Sequence, residues 1–302
     1  MTPVRGVGVG VDLDAYVEHL LSALEGRTLA GLHVVVDCAN GAASELAPRA
    51  LLAAGAQVDV INAQPDGRNI NAGCGSTYPE QLQAAVRAAG ADLGLALDGD
   101  ADRVLAVDEN GELVDGDQIM VMTARDWHER GMLRNDAIVV TVMSNLGLRR
   151  ALADAGVGIV ETPVGDRNVT AAMAEHDLAI GGEQSGHIVF ADLATTGDGV
   201  LTGLIVADLV ARRGVKMSAL AAAMTRLPQV LVNVRLERAF DLDAAPGVRA
   251  VVREVEAELG DRGRVMVRSS GTEPVVRVMV EAPTGAEAAA AAARVRSALE
   301  QT

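Results

Sequence analysis

The chain has 302 residues, 49% apolar and only 2% aromatic, with a formal net charge of -15. That length and apolar content allow a large buried core divided over two or three domains. Acidic residues spread along the whole chain exclude nucleic acid and anionic membrane surfaces as partners, so an anionic ligand must be met by local arginines and backbone amides.

Cys38 and Cys74 are too few for a disulfide framework, and with no charged-then-apolar leader they point to a reducing, cytoplasmic setting. No apolar run reaches the length of a bilayer span. The opening MTPVRGVGVG has no periodicity. From Asp12 to Leu24 the residues Tyr16, Leu20, Leu21 and Leu24 recur at helical spacing, and this helix reads as a connector. At His33 the texture changes: HVVVDCANG is a β-branched run ending in Asn and Gly, SELAPRALLAAG a helix stopped by glycine, and AQVDVI a strand. The same order returns in AIVVTVMSNLG, LRRALADAG and VGIVET, which predicts two related α/β units. Short apolar strands alternating with helices predict sheets at least partly parallel, covered on both faces, with ligands at the loops that follow the strands. Past Pro228 come the alternating QVLVNVRLE, a helix from about Pro246 to Leu259, two strands in RVMVRSSGTEPVVRVMVEA, and an alanine-rich helix. The expected fold is α/β: two related α/β/α mixed-sheet domains followed by a smaller α+β C-terminal domain. Its expected parts are a leading segment and connector helix at 1–26 and domains at 27–127, 128–227 and 228–302.

Three loops carry candidate chemistry. In LDGDADR, Asp98, Asp100 and Asp102 alternate directly after the apolar ADLGLAL. Carboxylates this close repel one another unless a cation shares them, and hard oxygen ligands with spare positions suit Mg²⁺. A solvated acidic turn is one alternative. A calcium loop is another, since Asp98, Asp100, Asp102 and Glu109 occupy its positions one, three, five and twelve. It fails on context: Arg103 stands where that loop needs glycine, and VLAVDENGELV reads as a hairpin turning at Asn110-Gly111. Arg103 is placed to meet a phosphate or to balance the carboxylates. In GGEQSGH, residues 181–187, Glu183, Ser185 and His187 at alternate positions point one way and suit vicinal sugar hydroxyls; a hairpin turn with a paired glutamate accounts for the segment equally well. In RSSGTEP, residues 268–274, Arg268 and the hydroxyls of Ser269, Ser270 and Thr272 could cradle a phosphate with backbone amides around Gly271, Arg277 lying just beyond; an ordinary turn is the alternative. TTGDG at 195–199 and VGDRN at 164–168 read as structural, and Cys38, Cys74 and His33 as packing. No nucleophile triad, zinc spacing or dinucleotide fingerprint is evident, which weakens hydrolase and dehydrogenase readings.

Taken together and in order, LDGDADR, GGEQSGH and RSSGTEP resemble the metal, sugar and phosphate loops of the phosphohexomutases, a likeness running from about residue 12 to the end. GEQSGH, CANGA at 38–42, NINAGCGST at 69–77 and MSNLG at 143–147 resemble the phosphoglucosamine mutase branch more than the phosphomannomutase and phosphoglucomutase branch. The resemblance implies an isomerase that interconverts glucosamine 6-phosphate and glucosamine 1-phosphate through a phosphoserine and a bisphosphate intermediate, on the route to UDP-N-acetylglucosamine and peptidoglycan. It implies Mg²⁺ on Asp98, Asp100 and Asp102, with Arg103 catalytic beside it. Glu183, Ser185 and His187 would then bind the sugar, and Arg268, Ser269, Ser270, Gly271, Thr272 and Arg277 the phosphate that is not reacting. Members of the family begin with a further α/β domain whose Ser-His-Asn-Pro loop bears the phosphoserine. No such wording occurs here, so the chain is expected to lack that loop, and a catalytically silent sugar-phosphate-binding fragment is the alternative. Asn168 is a second departure: the loop Gly165-Asp166-Arg167 continues in the family with Tyr.

Overall fold

Two β-branched runs, each followed by a helix and a second such run, set the architecture. The computed structural model describes residues 12–236, 245–269 and 275–301. After α1 (Leu13–Ser22) the first run gives β1 (His33–Asp37), α2 (Leu46–Ala53), β2 (Gln57–Ile61), α3 (Glu80–Ala89), β3 (Leu93–Leu97), β4 (Val104–Asp108) and β5 (Leu113–Val114). Their sheet has the order β2-β1-β3-β4-β5, parallel through β3 and antiparallel beyond it. After α4 (Gly116–Glu129) the second run gives β6 (Ala137–Thr141), α5 (Leu146–Asp154), β7 (Gly158–Thr162), α6 (Asp166–His176), β8 (Ile180–Gly182) and β9 (Ile188–Phe190). Its order β7-β6-β8-β9 repeats the same plan, parallel through β8 and reversed at β9. The loop between β3 and β4 and the loop between β8 and β9 therefore occupy one topological slot in two copies.

The two central strands are buried because their side chains are apolar on both faces: Val34 to Val36 in β1 and Ile138 to Val140 in β6 are nearly inaccessible. The helix α7 (Gly199–Arg213) is buried without a break from Gly199 to Val210, a largely apolar stretch that also carries Asp208, and α8 (Met217–Ala221) follows it. Among the described residues no helix is long and apolar enough to cross a membrane. Two expectations need correction. The first helix is more than a connector: Val17, Leu20 and Leu24 are buried, and α1 packs on α2 and α7. The expected boundary at Trp127 falls inside α4, where Trp127 packs against Phe190 with ring centroids 5.4 Å apart.

The chain divides into two units, residues up to 143 with 152–223, and 144–151 with 224–302. The second contains β10 (Gln229–Arg235), α9 (Pro246–Leu259), β11 (Arg264–Ser269), β12 (Val275–Glu281) and α10 (Gly285–Glu300), with antiparallel order β10-β12-β11. MSNLG earns its wording in this unit. The Asn145 carboxamide accepts from the Leu227 and Gly147 amides at 3.0 and 2.9 Å and donates to the Leu227 carbonyl at 3.0 Å. The Leu146 amide donates to the fully buried Glu281 at 2.9 Å, which also takes Arg264 Nε at 2.8 Å.

In the first unit, charges line the side of α7 that faces α4. Asp126, 3% exposed, accepts from Arg213 at 2.9 and 2.6 Å and from Arg212, while Arg27 grips Asp208 at 2.9 and 3.0 Å. Burial pushes the Asp126 carboxyl up, but Arg212 and Arg213 outweigh it and hold the group below the usual range. A carboxyl depressed by folding contributes stability above its unfolded pKa, and that contribution is lost as pH falls through the folded value. Asp126→Asn, which leaves two arginines short of a buried partner, should cost about 3 kcal/mol in urea unfolding at neutral pH. The gap to the native chain should narrow as pH falls below the ordinary aspartate range, because the depressed carboxyl protonates there; a gap independent of pH would contradict this account.

Candidate functional site

β3 delivers five consecutive buried residues and then Asp98, itself only 8% exposed. Ala101 adopts a positive φ of 63°, its amide donating back to the Asp98 carbonyl at 3.2 Å, and this turn returns the chain toward its start. As a result Asp98, Asp100 and Asp102 offer oxygens all within 4.8 Å of one another. The Arg103 amide donates to Asp98 Oδ1 at 3.1 Å. Its guanidinium stands 3.8 Å from Asp98 and 3.9 Å from Asp102, beyond hydrogen-bond range of both. Burial first, then the hydrogen bond and charge of Asp102 with the charge of Asp100, push the Asp98 carboxyl up to about 7, against the opposing Arg103 amide. The protein thus holds three hard oxygen donors together, with the Arg103 guanidinium outside hydrogen-bond range of them. A divalent cation with free coordination positions fits this donor set.

The 183–187 loop is a turn. The Glu183 amide donates to the His187 carbonyl and the Gly186 amide to the Glu183 carbonyl, each at 3.0 Å. The expected alternation is lost for that reason: Ser185 is exposed at the tip, whereas His187 is 2% exposed, with Nε2 3.8 Å from Asp102 Oδ2. His187 lies against the carboxylate loop, whereas Glu183 accepts the Gly165 amide through Oε1 at 2.9 Å. The turn is stitched to the start of β4, where its counterpart ends, by the Val104 amide donating to the Gly186 carbonyl at 3.2 Å, and to the start of α4 by the Gly116 amide donating to the Gln184 carbonyl at 3.0 Å.

Both loops read from sequence as structural enter the site. Besides the Gly165 amide on Glu183, the Gly199 amide donates to the Ala101 carbonyl at 2.8 Å, and Asp198 caps α7 at the Leu201 amide, 2.9 Å. Asp100, Asp102, Thr195, Thr196 and Asp198 line one open cleft of about 660 Å³. A residue that sequence reasoning missed is Asp37, fully buried at the end of β1. The only sign of it in the sequence is an aspartate closing a β-branched run immediately before CANGA.

In the second unit, Arg268 and Ser269 end β11, and Arg268 lies directly across from Arg277 on β12, both exposed. Like charges facing each other across a ladder are unfavourable, and an anion relieves them. Ser270, Gly271 and Thr272 lie outside the described residues.

Gly186, with φ of 93°, is where the two equivalent loops touch: an added Cβ would lie 2.2 Å from the Val104 carbonyl oxygen. Gly186→Ala should cost roughly 3 kcal/mol or more, from backbone conformation and overlap together. Gly67→Ala, at a positive φ with open space around it, should cost only about 1 kcal/mol. Equal losses in thermal unfolding would show that contact between the loops is not what Gly186 protects.

The chain matches the family models described as phosphoglucomutase/phosphomannomutase alpha/beta/alpha domain II over residues 14–111, alpha/beta/alpha domain III over 115–227 and C-terminal domain over 231–298. A phosphoglucosamine mutase of Frankia alni is 58% identical over 276 residues, which are 91% of this chain and 60% of that protein. One from Symbiobacterium thermophilum is 54% identical over 269 residues, again 60% of its length. The chain thus spans about 60% of the curated relatives it matches. Among solved structures, N-acetylphosphoglucosamine mutase of Aspergillus fumigatus in complex with GlcNAc-6P and magnesium matches at TM-score 0.80 and 25% identity, covering 96% of this chain and 66% of that one. A phosphoglucomutase/phosphomannomutase family protein of Burkholderia thailandensis matches at 0.77 and 26% identity, covering 96% and 64%. With three domains of one family matched in order from residue 14 to residue 298, the chain belongs to the phosphohexomutases.

Proposed function

We propose that this chain carries the cation, sugar and phosphate sites of a phosphoglucosamine mutase, an isomerase that interconverts glucosamine 6-phosphate and glucosamine 1-phosphate. The observation that carries the reading is the stitching of two equivalent loops in one unit: the Asp98, Asp100 and Asp102 cluster and the Glu183 turn, joined by the Val104 and Gly186 hydrogen bond. The names borne by the relatives at 54% and 58% identity support the amino-sugar branch, and the GlcNAc-6P and magnesium of the Aspergillus complex support the ligand set.

In this reading Asp98, Asp100 and Asp102 hold Mg²⁺, which when bound neutralises charge on a phosphoryl group during transfer. Arg103 keeps its exposed guanidinium beside two carboxylates without closing on either, so a forked donor remains for a phosphoryl oxygen. Glu183 uses one oxygen to hold the Gly165 amide, which orients the carboxylate and leaves the other for sugar hydroxyls, and Ser185 adds an exposed hydroxyl. His187, buried against Asp102, supports the junction of cation and sugar loops. Arg268, Ser269, Ser270, Gly271, Thr272 and Arg277 hold the phosphate that is not reacting.

Calorimetric titration of glucosamine 6-phosphate into the chain, with and without Mg²⁺, tests this. Saturable binding is expected, weakened about 10-fold or more by Glu183→Ala and by Arg268→Ala, the usual loss for a hydrogen bond to a charged group. Tighter binding of mannose 6-phosphate or glucose 6-phosphate would replace this reading with a phosphomannomutase or phosphoglucomutase.

A further inference from the structure

Asp37 closes β1 with no accessible surface, and nothing in the proposed chemistry uses it. Its Oδ1 accepts the Ala39 amide at 2.9 Å, while Oδ2 accepts the Gly75 amide and the Asn62 carboxamide, each at 3.0 Å. One carboxylate thus fastens CANGA and NINAGCGST, two segments whose wording is explained by neither sugar nor phosphate binding. The segments are also tied to each other, the Asn71 amide donating to the Ala39 carbonyl at 2.9 Å.

Both segments press on the backbone that flanks Asp98. The Ala42 amide donates to the Gly99 carbonyl at 2.8 Å, and a Cβ on Gly41 would lie 2.2 Å from that same oxygen. In the second segment, a Cβ on Gly75 would lie 2.5 Å from the Leu97 carbonyl oxygen. Residues 97 and 99 are therefore each held by a loop that is fastened at Asp37. Mg²⁺ demands near-ideal octahedral geometry, so small displacements of its ligands weaken it. We propose that Asp37 is a positioning residue of the cation site, fixing the Asp98 backbone through the 38–42 and 69–75 loops; this rests on the cation reading above.

The three donors converging on Asp37 explain why the residue is an acid. An ionised carboxylate accepts from all of them, whereas an asparagine offers one acceptor oxygen and turns its NH₂ toward a backbone N–H. Asp37→Asn should therefore loosen both loops at almost unchanged volume.

The probe is Mn²⁺ titrated into the 302-residue chain and followed by electron paramagnetic resonance, with folding checked by circular dichroism. Asp37→Asn is expected to weaken Mn²⁺ by about 10- to 100-fold, the usual loss when support of a metal ligand is removed, while reaching native stoichiometry at saturation. Gly41→Ala, which intrudes on Gly99 without touching Asp37, should act in the same direction. A folded Asp37→Asn chain with native Mn²⁺ affinity would overturn the inference, because a residue that merely supports the fold lowers the unfolding temperature and leaves affinity alone. If that variant fails to fold, Asn62→Ala decides: affinity reduced a few-fold supports the inference, and unchanged affinity overturns it. A native chain that takes up no Mn²⁺ would overturn the cation reading and this inference with it.

Discussion

Three carboxylates at the mouth of a buried strand repel one another, and much of the first unit serves to keep them there. Asp98 bears the greatest strain, because β3 buries it and its neighbours are anionic. The restraints are mostly backbone hydrogen bonds: Arg103 to the Asp98 side chain, Gly199 to Ala101, Ala42 to Gly99. Backbone restraints suit the task, since they neither neutralise the acids nor occupy the coordination positions that a cation and a phosphate would need. Arg103 is kept at a distance for the same physical reason.

The internal repeat gives this arrangement its economy. In each copy, the third parallel strand turns into an antiparallel partner, and the turn projects at the end of the sheet where parallel strands leave their C-terminal ends. One copy fills that turn with carboxylates and the other with the Glu183 loop. The two sheets are covered by α4 and α7, whose long buried faces share the first unit with both. Because Gly186 and Val104 touch directly, the spacing between cation loop and sugar loop is set by backbone contact and depends little on side-chain rotamers.

Much of this was legible in the sequence, and the exceptions have physical causes. The repeat, the acidic loop and the hairpin at Asn110-Gly111 follow from periodicity and turn chemistry, and the structure has them. Alternation failed for Glu183, Ser185 and His187 because it holds only along a strand, and the hydrogen bonds at 183–187 make a turn. TTGDG and VGDRN looked structural because a backbone amide leaves no trace in side-chain chemistry, although Gly199 and Gly165 use theirs on the site loops. Asp37 was unreadable for a related reason: an aspartate before Asn and Gly looks like any Asx turn, and its partners Asn62 and Gly75 are distant in sequence.

The charge of the chain makes the pattern of its arginines informative. With a net charge of -15, the protein repels anionic ligands at long range and must bind them through groups not already committed. Arg212 and Arg213 are committed to Asp126, Arg27 to Asp208 and Arg264 to Glu281, and these pairs hold helices and strands together. Arg103 lies beside carboxylates without a close ion pair, and Arg268 faces another arginine across the ladder. Asn168 fits the same logic of local commitment. Its carboxamide donates to the Val164 carbonyl at 3.0 Å and closes its own helical turn, so a tyrosine at this position is not needed to keep the Gly165 amide pointed at Glu183.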